Sequence, residues 1–121
     1  MRVVVPCETD ETLDSMRSGH FGHAPWLTVV DLDESMKPLS VTAVKNADHD
    51  AMGCGGVIEH VMGLGADAII TAGMGYPPFT RFTQAGVKVY VDRETPGVGD
   101  VLVKFVAGDI TLMGEDDICK H

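Results

Sequence analysis

The chain opens on an unbroken apolar run from Arg2 to Pro6, the pattern of a strand buried on both faces. A second run, Trp26 to Leu32, is rich in Val and Thr. Asp33 to Pro38 supplies turn chemistry, and Leu39 to Val44 then alternates. Leu39, Val41 and Ala43 fall on one side, Ser40, Thr42 and Val44 on the other, which with the preceding run predicts an antiparallel hairpin. The rhythm then changes. Gly55 to Leu64 places Val57, Val61 and Leu64 on one helical stripe, with Ile58 and Met62 beside it. Ala68 to Ala72 reads as a buried strand, Pro77 as the first turn of a helix reaching Ala85, and Val87 to Val91 as an edge strand. Val98, Val101, Leu102, Phe105 and Val106 recur at helical spacing, and Gly108 ends that helix.

A hairpin followed by helix–strand–helix–strand–helix predicts an α/β fold of three layers around one mixed five-stranded sheet, its parallel connections crossing over right-handed. There is no repeat, low-complexity tract or interdomain linker. The pattern assigns residues 1–108 to a single domain and 109–121 to a mobile acidic tail. At 121 residues the chain is the size of an ordinary domain. Area scaling gives it a folded surface of roughly 6,000 Å², enough burial for a core without disulfide or metal staples.

Charge narrows the function classes. Nine Lys and Arg against eighteen Asp and Glu give a net charge of −9, and the cations are scattered rather than striped. A field of that sign opposes the cation–phosphate contacts on which nucleic-acid binding depends. No apolar run approaches the roughly 20 residues of a membrane span, and the N-terminal run is too short for a secretory leader. A cytoplasmic location is therefore expected. There the three cysteines, Cys7, Cys54 and Cys119, are thiols, each either a small hydrophobe or a soft ligand.

The candidate chemistry lies in two long connections. Cys7 to Pro25 holds His20-Phe21-Gly22-His23, two imidazoles that converge if the loop bends at Gly22. On spacing alone, two exposed loop histidines are the plainer reading, with Phe21 and Ala24-Pro25-Trp26 packing the loop onto the core. Asn46 to Gly56 holds Asp48, His49, Asp50, Met52 and Cys54. A thiol at a helix start meets the positive dipole end, and Gly53, Gly55 and Gly56 allow an anion close to the backbone. The same segment reads equally as a flexible loop with one buried cysteine. With imidazole, Met52 and Cys54 would suit Cu(I), Zn or iron–sulfur species rather than Mg or Ca. Right-handed crossover topology would bring both connections to one end of the sheet. Gly73-Met74-Gly75 sits between a strand and a helix, where open α/β sheets bind ligands, but tight turn geometry also explains it. His60 lies off its helix's apolar stripe and is expected at the surface; Cys7, directly after a buried strand, is expected to be structural. No nucleophile elbow or placed carboxylate pair points to catalysis.

Taken in order, these segments resemble a known family. They are the first strand, the His-Phe-Gly-x-Ala-Pro-aromatic segment from His20 to Trp26, and Gly53-Cys54-Gly55-Gly56 before a helix. Leu64 to Ile70, Gly73-Met74-Gly75 and Ala85 to Tyr90 complete the set, which covers roughly Arg2 to Gly108. The chain is similar to small single-domain members of the dinitrogenase iron–molybdenum cofactor biosynthesis family. The resemblance implies a ribonuclease-H-like α/β/α fold without nuclease activity, in keeping with a first strand, Val3-Val4-Val5, that carries no carboxylate.

It also implies a non-catalytic carrier that binds, stores or transfers a metal–sulfur cluster. The cluster would be an iron–molybdenum cofactor precursor, a molybdenum–copper sulfide or an iron–sulfur type, exchanged with a donor or acceptor protein. By the same resemblance the ligands fall on His20, His49 and Cys54, and His23, standing where many members have Arg, becomes a further metal ligand. The amides of Gly53, Gly55 and Gly56, with Gly73 and Gly75, would bind the cluster's sulfides. An adaptor whose loops dock a partner protein, with metal incidental, is the alternative from another class.

Overall fold

A computed structural model describes residues 1–19, 21–46 and 49–114, with side chains for all of these except 49–55. Among the described residues the strands are β1 (Arg2–Cys7), β2 (Trp26–Leu32), β3 (Pro38–Lys45), β4 (Ala68–Thr71), β5 (Lys88–Val91) and β6 (Thr111–Leu112). The helices are α1 (His49–Gly63), α2 (Tyr76–Gln84) and α3 (Val98–Val106). The six strands form one sheet in the order β3-β2-β1-β4-β5-β6. β1 runs parallel to β4 and β4 to β5, while the β1–β2, β2–β3 and β5–β6 pairs are antiparallel.

Strand alternation sorts the core into two layers. Val4, Leu27 and Ile69 point to the face covered by Val57 and Val61 of α1 and Phe82 of α2. Val3, Val5 and Ile70 point to the opposite face, covered by Val98, Val101, Leu102 and Phe105 of α3. The α/β/α layering is therefore as expected, and the accessible surface of 6,356 Å² agrees with the size scaling. Gly86 and Gly108, with φ of 84° and 80°, take the left-handed position just past the ends of α2 and α3, where a side chain would be strained.

Four expectations change. The sheet has six strands, because Ile110 and Met113, both buried, lie three residues apart and so reach opposite core layers. Between them Thr111 and Leu112 pair with Val91 and Tyr90, and Met113 N–H donates to Val89 O at 2.8 Å. Residues 109–114 therefore belong to the folded body, and only 115–121 of the expected acidic tail lie outside the described residues. Consequently β5 is an inner strand rather than an edge. Finally, α1 begins at His49, so Gly53, Gly55 and Gly56 lie inside a helix instead of in a loop before it. Each interior glycine costs a helix about 1 kcal/mol, a penalty that the packing of Val57, Ile58 and Val61 against the sheet outweighs.

The end of the sheet where β1 begins is closed by Arg2. Its guanidinium donates to Asp31 from Nε and Nη2 at 2.8 and 3.2 Å, and to Leu64 O from Nη1 at 2.7 Å. Its backbone N–H donates to Asp67 Oδ2 at 2.7 Å. No helix among the described residues is long and apolar enough to cross a membrane.

Candidate functional site

The register places the candidate segments together. Cys7, Trp26 and Lys45 lie abreast at the ends of β1 and β3 and the start of β2. β4 and β5 run parallel to β1 and finish at the same end. The connection holding His20 and His23, the start of α1 at His49, the Gly73–Gly75 turn and the segment before α3 therefore share one end of the sheet, as the crossover topology required. α1, α2 and α3 all begin here, so each turns its positive dipole end and unpaired amides this way. The chain leaving β1 passes to β2 on one side, and that leaving β4 passes to β5 on the other. In open α/β sheets such a reversal opens a ligand crevice.

The 18-residue connection after β1, residues 8–25, is tied down over its described part. Met16 bridges Gly97 and Arg17 bridges Cys7, so this short stretch is held between the end of β1 and the start of α3. Arg17 N–H donates to Pro96 O at 2.8 Å and Val98 N–H to Ser15 O at 3.0 Å. The Ser15 side chain, buried, accepts from Thr9 N–H at 3.1 Å and closes the turn around a 3-10 segment, Thr12–Asp14. Cys7 is structural as expected: it is fully buried, with Sγ 3.2 Å from Thr28 Oγ1 and 3.4 Å from Thr9 O.

Further along, Phe21 and Ala24 are buried, and Phe21 meets Phe82 edge-on at 5.4 Å. His23, between them, is exposed. His20 lies outside the described residues, as do the side chains of His49 and Cys54, although the backbones of both are in α1. Asn46 joins the two histidine-bearing segments. Its buried Nδ2 donates to Ala24 O at 2.9 Å and Phe21 O at 3.5 Å, and its N–H donates to Pro25 O at 3.0 Å. The Phe21–Pro25 stretch is thus clasped to the chain entering α1. His60, half-buried, places Nε2 2.9 Å from Lys45 O and ties α1 to the end of β3.

The glycines divide. With Gly53, Gly55 and Gly56 inside α1, the amides left for a ligand at that helix are those of its first turn. Gly73 is engaged on both sides, its N–H donating to Thr71 Oγ1 at 3.1 Å and its carbonyl accepting from the same hydroxyl at 2.9 Å. Gly75 is the N-cap of α2. Among the described residues no group of three or more His, Cys, Asp or Glu side chains gathers to hold a metal ion.

Arg17 and Asp92 were not singled out in the sequence. Arg17 Nη1 lies 3.1 Å from Asp92 Oδ1, in an ion pair whose side chains are only 5% and 10% exposed. Arg17 also donates to Thr95 O at 2.9 Å and Asp92 O at 2.8 Å. Burial pushes the Asp92 carboxyl up, but backbone donors from Thr95 and Glu94, the Thr95 hydroxyl and the Arg17 charge outweigh it and hold the group below the usual carboxylate range. Burial in turn lowers Arg17 below the ordinary guanidinium value against the pull of Asp92. The only sequence signal for this pair was Asp92 three residues before Thr95, a side-chain-capped turn.

One end of this α/β/α domain thus gathers three helix N-termini and two histidine-bearing segments. The dinitrogenase iron-molybdenum cofactor family matches residues 1–108, and the chain belongs to that family. Its fold is similar to that of the orange protein from Desulfovibrio gigas, solved in its apo form, at 25% identity and a TM-score of 0.79 over 93% of this chain and 92% of that one. It is also similar to a Thermotoga protein described as a candidate NifB protein of the DUF35 family, at 29% identity and a TM-score of 0.70 over 94% and 97% of the two chains. A candidate dinitrogenase from Methanocaldococcus jannaschii shares the fold at 16% identity, with a TM-score of 0.74 over 94% and 95%. No curated protein matches the chain in sequence.

Proposed function

We propose that this protein is a non-catalytic carrier that binds an anionic metal–sulfide cluster at the loop end of the sheet and passes it to an acceptor. The cluster belongs to the iron–molybdenum precursor, molybdenum–copper sulfide or iron–sulfur class. The observation that carries this reading is the Asn46 clasp, which holds the Phe21–Pro25 segment to the chain entering α1. His20, His23, His49 and Cys54 supply imidazole and thiolate, donors suited to soft metals. First-turn amides of α1 and the starts of α2 and α3 offset the cluster's charge in a chain of net −9. His20 and His23 on the connection and His49 at the helix start lie at the open end of the sheet, from which cargo can pass to a donor or acceptor protein, and the cytoplasm, where thiols stay reduced, suits such cargo.

Metal and sulfide analysis with an absorption spectrum, on protein purified without oxygen, tests the reading. Molybdenum, copper or iron with stoichiometric sulfide is the expected result. Double replacement His20→Ala and Cys54→Ala should then strip the cluster while the fold, read by circular dichroism, persists. A colourless protein that also fails to take up cluster on reconstitution would replace the carrier with a protein-docking adaptor.

A further inference from the structure

A second site lies beside the clasped segment, on the β5 side of the same end. Residues 17–19 after β1, Ala72 after β4 and residues 92–96 after β5 enclose a cleft of about 220 Å³. That is below the roughly 300–1,000 Å³ of pockets that take drug-sized molecules, so the fitting ligand is small. The rim is open at Gly19, where a Cβ would meet nothing within 4 Å.

The charges at this cleft balance, unlike those of the chain as a whole. Asp92 is already saturated: Oδ1 accepts from Arg17 Nη1, Glu94 N–H and Thr95 N–H, and Oδ2 from the Thr95 hydroxyl, with Lys104 Nζ at 3.9 Å. The lining sets Arg17 and Arg93 against Asp92 and Glu94, so the cleft itself is electrically balanced within a molecule of net −9, and Lys104 stands just behind Asp92. Both terminal nitrogens of Arg17 are bonded, yet its Nε is buried with no hydrogen-bond partner among the described residues. A buried donor without an acceptor is costly, and a charge-assisted bond to an oxyanion is the strongest way to satisfy it.

We propose that this cleft is a binding site for a small tetrahedral oxyanion of the phosphate, sulfate and molybdate class, held by Arg17 with Arg93 at the rim. The anion would sit against Arg17, whose Nε lacks an acceptor among the described residues. Neither this site nor the cluster reading requires the other, since no imidazole or thiol takes part here.

Isothermal titration of metal-free, full-length protein with inorganic phosphate, sulfate and molybdate, at constant ionic strength set by chloride, tests the proposal. One saturable site is expected. Arg17→Gln should weaken it at least ~10-fold, the loss of a hydrogen bond to a charged group. Arg93→Gln should weaken it about 3-fold and Glu94→Gln tighten it about 3-fold, as exposed charges do. His20→Ala should leave it unchanged. If Arg17→Gln fails to fold, the opposite shifts of the two exposed variants carry the test. Absence of saturable binding, equal affinity in the Arg93 and Glu94 variants, or loss of binding in His20→Ala would each overturn the site.

Discussion

Two arginine–aspartate pairs close opposite ends of the same sheet, and they do different work. At the end where β1 begins, Arg2 meets Asp31 at 2.8 Å with side chains 43% and 32% exposed. At the other end, Arg17 meets Asp92 at 3.1 Å almost out of contact with water. The contrast extends beyond the pairs. Ser15, Ser18, Asn46, Thr71 and Thr95, all buried polar residues, belong to the segments that leave the loop end. One end is a surface closure; the other is a polar interior built beneath the connections. Buried polar groups cost free energy unless satisfied, and satisfied ones fix a unique geometry. A site assembled from four connections needs that fixing, whereas the opposite end only has to stop the layers fraying.

The largest expected effect breaks the buried pair. Arg17→Met leaves Asp92 without its guanidinium partner and the Thr95 and Asp92 carbonyls without their donor, and should cost about 3–5 kcal/mol in a urea denaturation series. The double variant Arg17→Met with Asp92→Leu should recover part of that loss, because the stranded charge is gone. A cost under about 1 kcal/mol for Arg17→Met would show that the pair is as weak as a surface bridge.

Asn46→Ala comes next. It strands the Ala24 carbonyl in a buried setting and should cost about 1–3 kcal/mol. Faster amide exchange confined to residues 21–25 and the start of α1 would locate the loss at the clasp. Uniform acceleration across the domain would place it elsewhere.

Arg2→Gln should be the mildest, a midpoint shift clearly smaller than those of Arg17→Met and Asn46→Ala in the same series. High salt should narrow it further, as it does for exposed pairs. Acid sharpens the comparison. Asp92 and Asp31 both sit below their ordinary carboxyl values in the folded protein. Their contributions are therefore complete above about pH 4, the unfolded value, and disappear as pH falls through the lower folded values. Asp92→Asn should flatten that part of the acid-unfolding profile. Salt should leave the Asp92 contribution in place while eroding that of Asp31.

Much of the architecture was legible because burial imposes a period. β2 falls on Trp26–Leu32 and α3 on Val98–Val106 as the apolar spacing required, since each buries a face whose repeat the sequence must carry. β6 was not legible: two paired residues between Ile110 and Met113 leave no repeat to read, and the free edge of β5 recruits them. The start of α1 was hidden for a related reason. Glycines at 53, 55 and 56 argue locally for a loop, and the helix that contains them is held by contacts further along, at Val57 and Val61.

Of the candidate site, the residue types were visible and their geometry was not. His20, His23, His49 and Cys54 could be named from the sequence because imidazole and thiol are rare and chemically distinctive. Arg17, Asp92 and Asn46 are common residue types, and what sets them apart is burial, a property of the folded chain alone. The amino-acid sequence by itself determined the layers, the family and the kind of donors available. Only the tertiary structure decided that four separated connections meet at one end of the sheet and which polar groups lie under them. Register between strands places the ends of β1, β4 and β5 side by side, and no local pattern encodes a contact between Arg17 and Asp92 across 75 residues of chain.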